Sequence, residues 1–255
     1  MNDIRKESSC GEYHIILNFI EELHVFSRNS EREAMVRILE EAVNKKEIEI
    51  FNHAIMLNHV HMLIRVPSIE VLASVMISIN TRFAKFFNKS RQRRGRVFSK
   101  RYFSSAINDE NYFFTVFQYI SRNSVRAYLV KSPWDYKWTA LKSYMKKEGT
   151  FYHEEVLERF SNFFKGAIFS FEEFISDNSN DHSIMNFDRK LYYDSAAAKI
   201  FNEELRMAGI AELDLINRRI ASGVVLDRLR RIGITYKQIN KFSGLTISKI
   251  KSLEM

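Results

Sequence analysis

Two apolar runs, IEIFNHAIM at residues 48–56 and NHVHMLIRV at residues 58–66, follow one another with a single residue between them. Each has the length and composition of a strand, and so small a gap leaves room only for a hairpin, which commits this part of the chain to an antiparallel sheet. The periodicity on either side alternates. YHIILNFI, residues 13–20, reads as a buried strand rich in Ile. Residues 30–48 place Met35, Ile38, Leu39 and Ala42 at helical spacing behind a Ser with Glu three residues on, the pattern of a capping box. Pro67 and Ser68 open a second helix reaching about residue 88, residues 97–107 read as a further extended segment, and Asp109 caps a third helix through Arg126. The order strand, helix, strand, strand, helix, strand, helix predicts an α+β fold: a ferredoxin-like antiparallel sheet with helices on one face. Beyond residue 150 only helical patterns occur, and Pro is absent.

Charge narrows the partner. The chain of 255 residues carries a formal net charge of +8, which favours an anionic partner such as nucleic acid. Residues 1–150 hold 24 Lys and Arg against 16 Asp and Glu, residues 151–214 hold 6 against 13, and residues 215–255 hold 9 against 2. Two basic pieces joined by an acidic one suggest two contacts with a polyanion and a spacer between them. The expected division is a domain at 1–150, an acidic helical linker at 151–214, and a DNA-binding piece at 215–255. A single cysteine, Cys10, excludes an intrachain disulfide and fits a reducing compartment. The longest apolar run, near residues 71–79, is about half of what a bilayer span requires, and no basic-then-apolar leader opens the chain. A cytoplasmic protein with no membrane partner is expected.

Candidate chemistry begins with His59 and His61. Residues i and i+2 of a strand share a face, so the two rings project side by side and supply half of a divalent-metal site. The pair also fits a core histidine beside one at a sheet edge. On the third helix, Tyr119 and Asn123 are four apart and so are neighbours on one face. An Asn carbonyl oxygen suits Mg²⁺ or Mn²⁺ beside imidazole, and a Tyr phenol is a covalent nucleophile once a metal polarises the phosphate it attacks. Tyr119 is also one of 11 tyrosines and fits a packing role.

The segment YISRNSVRAYLVKSPWDYKWTALKSY, residues 119–144, resembles the tyrosine helix and following loop of the single-tyrosine HUH transposases, and among them the REP-associated tyrosine transposases, relatives of the insertion-sequence-200 group. NHVHMLI matches that family's H-x-H strand, and GRVFSKRYF, residues 95–103, matches its G-x-x-[WF]-x-x-R-[YF] stretch. The motifs follow in order over roughly residues 12–145. The resemblance implies metal-dependent cleavage and rejoining of single-stranded hairpin or palindromic DNA. It casts Tyr119 as the nucleophile that forms a 5′-phosphotyrosyl link, and His59, His61 and Asn123 as ligands of Mg²⁺ or Mn²⁺. It implies a bacterial, nucleoid-associated protein acting as monomer or homodimer. Two departures stand out: Ser124 replaces the family's Pro, and residues 13–26 lack its glycine-rich turn, which leaves the roles of His14 and His24 open, with His14 an alternative third ligand. A catalytically inactive, domesticated DNA-binding regulator and a water-using phosphodiesterase are the competing readings.

Residues 81–101 carry nine basic side chains without one acid: Arg82, Lys85, Lys89, Arg91, Arg93, Arg94, Arg96, Lys100 and Arg101. These read as phosphate contacts, with Arg122 and Arg126 of the tyrosine helix added to the DNA-facing set, while the interleaved Phe83, Phe86 and Phe87 at helical spacing read as core. Near the C-terminus, Ile239, Gly244 and Ile250 have the spacing of a helix-turn-helix supported by a helix at residues 223–232. Its second helix, beginning near Thr246, would offer Ser248, Lys249 and Lys251 to duplex DNA.

Overall fold

In the computed structural model the described residues are 7–45, 47–165, 169–177, 201–202, 204–206, 225–226, 229, 234 and 236–253. They fall into two compact units, the first formed by residues 1–125 and 129–180 and the second by residues 126–128 and 181–255.

The first unit is built on four strands, β1 (Glu12–Asn18), β2 (Glu49–Ile55), β3 (His59–Arg65) and β4 (Phe103–Ile107). They form one antiparallel sheet in the order β2-β3-β1-β4. The hairpin is thus β2–β3, and β1 enters between β3 and β4 as a split βαβ arrangement requires. Helices α1 (Asn29–Asn44), α2 (Ile69–Ser90) and α3 (Glu110–Arg126) occupy the expected intervals. Gly11, just before β1, lies at φ +72°, and a Cβ there would stand 2.3 Å from the Val66 carbonyl oxygen, so only glycine lets the two chain segments close.

Two local expectations need correction. Ser30 lies inside the first turn of α1, and the cap is made by Glu31, whose Oε2 accepts from the Arg28 N–H at 3.0 Å. Glu31 is buried and its other oxygen accepts from Arg91 Nε at 2.6 Å, so tertiary pairing chose the capping carboxylate. The extended segment at 97–107 becomes a strand only from Phe103. Before that, Val97 and Ser99 bond the backbone of Ile20 and Asn18 past the end of β1. Asp109 does cap α3, accepting from the Tyr112 N–H at 2.7 Å.

The sheet is covered on both faces rather than one. β1 and β3 are buried along nearly their whole lengths, as strands sandwiched between two layers must be. α1 and α2 pack together on one side, where Phe83 meets Phe19 and Phe26. On the other side lies α3, held by Asn52 of β2, whose amide donates to the Phe117 carbonyl at 3.0 Å and to Ser121 Oγ at 2.8 Å. A bulge at Phe51 shifts the register between Ile50 and Asn52 and re-aims Asn52 toward that helix.

The chain beyond 150 does not leave this unit at once. α4 (Leu141–Lys146), α5 (Glu154–Phe163) and α6 (Phe171–Ser176) belong to it, so the boundary read from charge falls inside the unit. Arg159 of α5 reaches buried Glu12 of β1 at 2.7 Å and Glu110 of α3 at 2.8 Å. One acid of α5, Glu155, answers an arginine of the same unit: it pairs with Arg65, and that hydrogen bond holds its carboxyl below the usual range. Most of 178–214 lies outside the described residues.

In the second unit, α7 (Tyr236–Ser243) and α8 (Ile247–Leu253) are joined by Gly244, Leu245 and Thr246, with Gly244 at φ +69°. Ile239 and Ile250 are fully buried, while Ser248, Lys249 and Lys251 are exposed. The supporting helix expected at 223–232 lies largely outside the described residues. Among the described residues no helix is long and apolar enough to cross a membrane.

Candidate functional site

The site grows from strand alternation. Register pairs Asn18 with His59, Ile16 with His61 and His14 with Leu63, so His14, His59 and His61 all point toward α3. The His59 and His61 rings stand with centroids 4.8 Å apart at 89°. Above them α3 presents Tyr119 and Asn123 one turn apart: the Tyr119 ring lies 5.5 Å from that of His61 and 6.1 Å from that of His14, and Asn123 Nδ2 lies 3.2 Å from His61 Nε2. The four residues singled out from the sequence therefore meet at one place, with Tyr119 only 3% exposed.

The donor set suits a hard divalent cation. Among the described residues no group of three His, Cys, Asp or Glu side chains is placed to hold a metal, so two imidazoles here need a third donor of another kind. Asn123 Oδ1 is buried and has no hydrogen-bond partner, a costly state for an amide oxygen that a cation would relieve. Asn58 Oδ1 accepts from His59 Nδ1 at 2.7 Å, which turns the lone pair of that ring to Nε2. His14 does not complete the set: its Nε2 faces His61 Nδ1 at 3.1 Å, on the side of that ring away from Asn123.

Two residues missing from the sequence reading shape the site. Asn52 aligns α3 on the sheet, and its signal was a lone amide inside an apolar strand run. Gln118 binds the Phe174 carbonyl, and Arg122 donates to the Ser176 carbonyl at 2.5 Å, so α6 straps the back of the tyrosine helix. Arg122 is 4% exposed, which removes it from the DNA-facing set: its charge satisfies the last carbonyls of a helix. Ser124, in place of the family's Pro, lies buried inside α3.

The basic stretch divides by partner. Arg82 pairs with Glu41 and Arg91 with buried Glu31, both on α1, and Arg93 donates to Asn88 Oδ1 at 2.6 Å near the end of α2. Lys85, Lys89, Arg94, Arg96, Lys100 and Arg101 are exposed, and Arg126 is half-buried. Phe83 and Phe87 are core and Phe86 is half-buried.

An antiparallel α+β sheet carrying an H-x-H strand beneath a helix with Tyr and Asn one turn apart is the framework that the sequence resemblance anticipated. Residues 7–123 match the family model described as "Transposase IS200 like". The chain is also similar to a solved structure described as "Structure of the REP associates tyrosine transposase bound to a REP hairpin", at 16% identity and a TM-score of 0.45, over 60% of this chain and 91% of that one. No curated protein matches the chain.

Proposed function

We propose that this protein is a metal-dependent single-strand DNA endonuclease and strand transferase that acts through Tyr119 on hairpin or palindromic repeat DNA. The observation that carries the reading is the convergence of Tyr119, Asn123, His59 and His61 from two separate elements onto one buried cluster. In the step proposed, Tyr119 Oη forms a bond to phosphorus while the bond from phosphorus to O3′ breaks. The phenolic proton passes to solvent, and the leaving oxygen takes one to become a free 3′-hydroxyl. The 5′-phosphotyrosyl product conserves the energy of the phosphodiester, so a second 3′-hydroxyl can reverse the step and join strands without ATP. A bound Mg²⁺ or Mn²⁺ ion, held by His59, His61 and Asn123, would polarise a phosphate oxygen and make phosphorus more electrophilic. The ligands and the nucleophile lie in contact within one chain, which supports use of Tyr119 in its own subunit, whether the protein works as monomer or homodimer.

DNA would be held by the exposed Lys85, Lys89, Arg94, Arg96, Lys100 and Arg101, with duplex contact added by Ser248, Lys249 and Lys251 of α8 as the second helix of a helix-turn-helix. A protein of this kind would act in the bacterial cytoplasm, beside the nucleoid. The burial of Tyr119 favours a second reading, a DNA-binding regulator that keeps the fold without the chemistry. Incubation with labelled single-stranded hairpin DNA and Mn²⁺ separates the two: a covalent protein–DNA band supports the transposase, and binding without cleavage supports the regulator.

A further inference from the structure

Metal-binding imidazoles must present a lone pair from the correct ring nitrogen, and a neutral histidine has two tautomers to choose from. At His59 the choice is made by Asn58, whose carbonyl oxygen takes the Nδ1 proton. At His61 the arrangement differs. Its neighbour at Nδ1 is a third imidazole, His14 Nε2 at 3.1 Å. The two rings are inclined by only 22°, and their centroids are 5.4 Å apart, which exceeds the N···N distance by about two ring radii. The rings therefore meet edge to edge, with the contact in the ring planes where imidazole lone pairs and N–H bonds lie.

On its other side, His61 Nε2 faces the Asn123 amide nitrogen at 3.2 Å, and an amide NH₂ can only donate. With His61 Nε2 as the acceptor, its Nδ1 would carry the proton and His14 Nε2 would accept it. Register makes the contact possible: Ile16 stands opposite His61, so His14 reaches it on the diagonal across β1 and β3. His14 is fully buried at this position.

We propose that His14 is a positioning residue: by accepting the Nδ1 proton of His61 it fixes the tautomer that turns His61 Nε2 toward Asn123 and the proposed metal. The proposal rests on the metal reading above and adds a residue that touches neither metal nor DNA. A Phe at position 14 keeps a ring of similar size and removes the acceptor. A Gln there offers a side-chain oxygen in its place.

The test is long-range ¹H–¹⁵N spectroscopy of the full-length protein with labelled histidines, joined to Mn²⁺ titration of the wild type, His14→Phe and His14→Gln. In the wild type His61 should show its proton on Nδ1. His14→Phe should lose that single tautomer and weaken Mn²⁺ binding by about 10- to 100-fold, the usual cost of removing an outer-sphere partner, and His14→Gln should recover most of both. A His61 proton on Nε2 in the wild type, which needs no variant to fold, would overturn the proposal. So would His14→Phe binding Mn²⁺ as tightly as the wild type. Wild-type protein with the Nδ1 tautomer but no Mn²⁺ affinity would remove the metal reading while upholding the control of His61 by His14.

Discussion

His53 and His61 sit on neighbouring strands, one step apart in register, and both are buried, yet the sheet sends them to opposite faces. His53 pairs with Met62 and packs edge-on against Phe151, with its Nδ1 lacking a hydrogen-bond partner. Burial alone acts on it and lowers its pKa to about 3. His61 pairs with Ala54, faces the tyrosine helix, and is bonded at both ring nitrogens. Burial by itself makes a histidine inert. Burial within a set of oriented polar partners gives a ring the fixed orientation that the proposed ligand role requires.

The strongest break of that contrast comes from removing each ring in turn. His61→Ala should lower Mn²⁺-dependent nicking by roughly a thousandfold, since a lost metal forfeits several kcal/mol of charge stabilisation. His53→Leu should leave nicking unchanged. A gel assay of both variants checks this, and equal losses would mean that the two faces are not functionally distinct.

Two further predictions concern stability. Asn52→Ala removes both hydrogen bonds that align α3 and should cost about 1–3 kcal/mol in urea unfolding. His53 stays neutral in the native state down to about pH 3, whereas the unfolded chain protonates it below about 6.5. The unfolded state thus binds more protons in that window. Stability is fully present above pH 6.5 and should fall by about 1.4 kcal/mol per pH unit as pH drops toward 3. Unfolding of the wild type and His53→Leu near neutral pH and near pH 5 measures the difference. An unchanged slope in the variant would show that His53 is not its source.

The smallest effects separate the basic residues. Lys89→Ala should reduce the dependence of log affinity on log salt by roughly 0.7 for single-stranded DNA and leave stability alone. Arg91→Ala should instead destabilise the fold by about 1–3 kcal/mol, because Glu31 is left buried without its guanidinium. Filter binding across a salt series, with parallel urea melts, tells phosphate contacts from packing arginines.

Much of this was legible in the chain. Apolar runs and helical spacing placed all four strands and the first three helices, because local periodicity and turn length decide those elements. His59, His61, Tyr119 and Asn123 could be named because i, i+2 on a strand and i, i+4 on a helix fix which side chains are neighbours. The covering of both sheet faces was less legible, since it is carried by β1 and β3 being apolar at nearly every position rather than at alternate ones. The roles of Asn52, His14 and Arg122 were hidden for a different reason. Each depends on a partner 47 to 69 residues away in sequence, and no local pattern records such a pairing. Charge counting also misplaced α5, because Glu155, which answers Arg65 and Arg159, looks like part of a solvated spacer until the arginines are found beside it.

The central claim is that Tyr119 attacks DNA with the help of a metal held by His59, His61 and Asn123. Its most direct test is a denaturing gel of wild type and Tyr119→Phe incubated with labelled single-stranded hairpin DNA taken from beside the gene, with Mn²⁺ or with EDTA. A covalent protein–DNA band that requires Mn²⁺ and disappears in Tyr119→Phe is the predicted result. Cleavage that persists in the variant, or binding that never yields a covalent band, would contradict it.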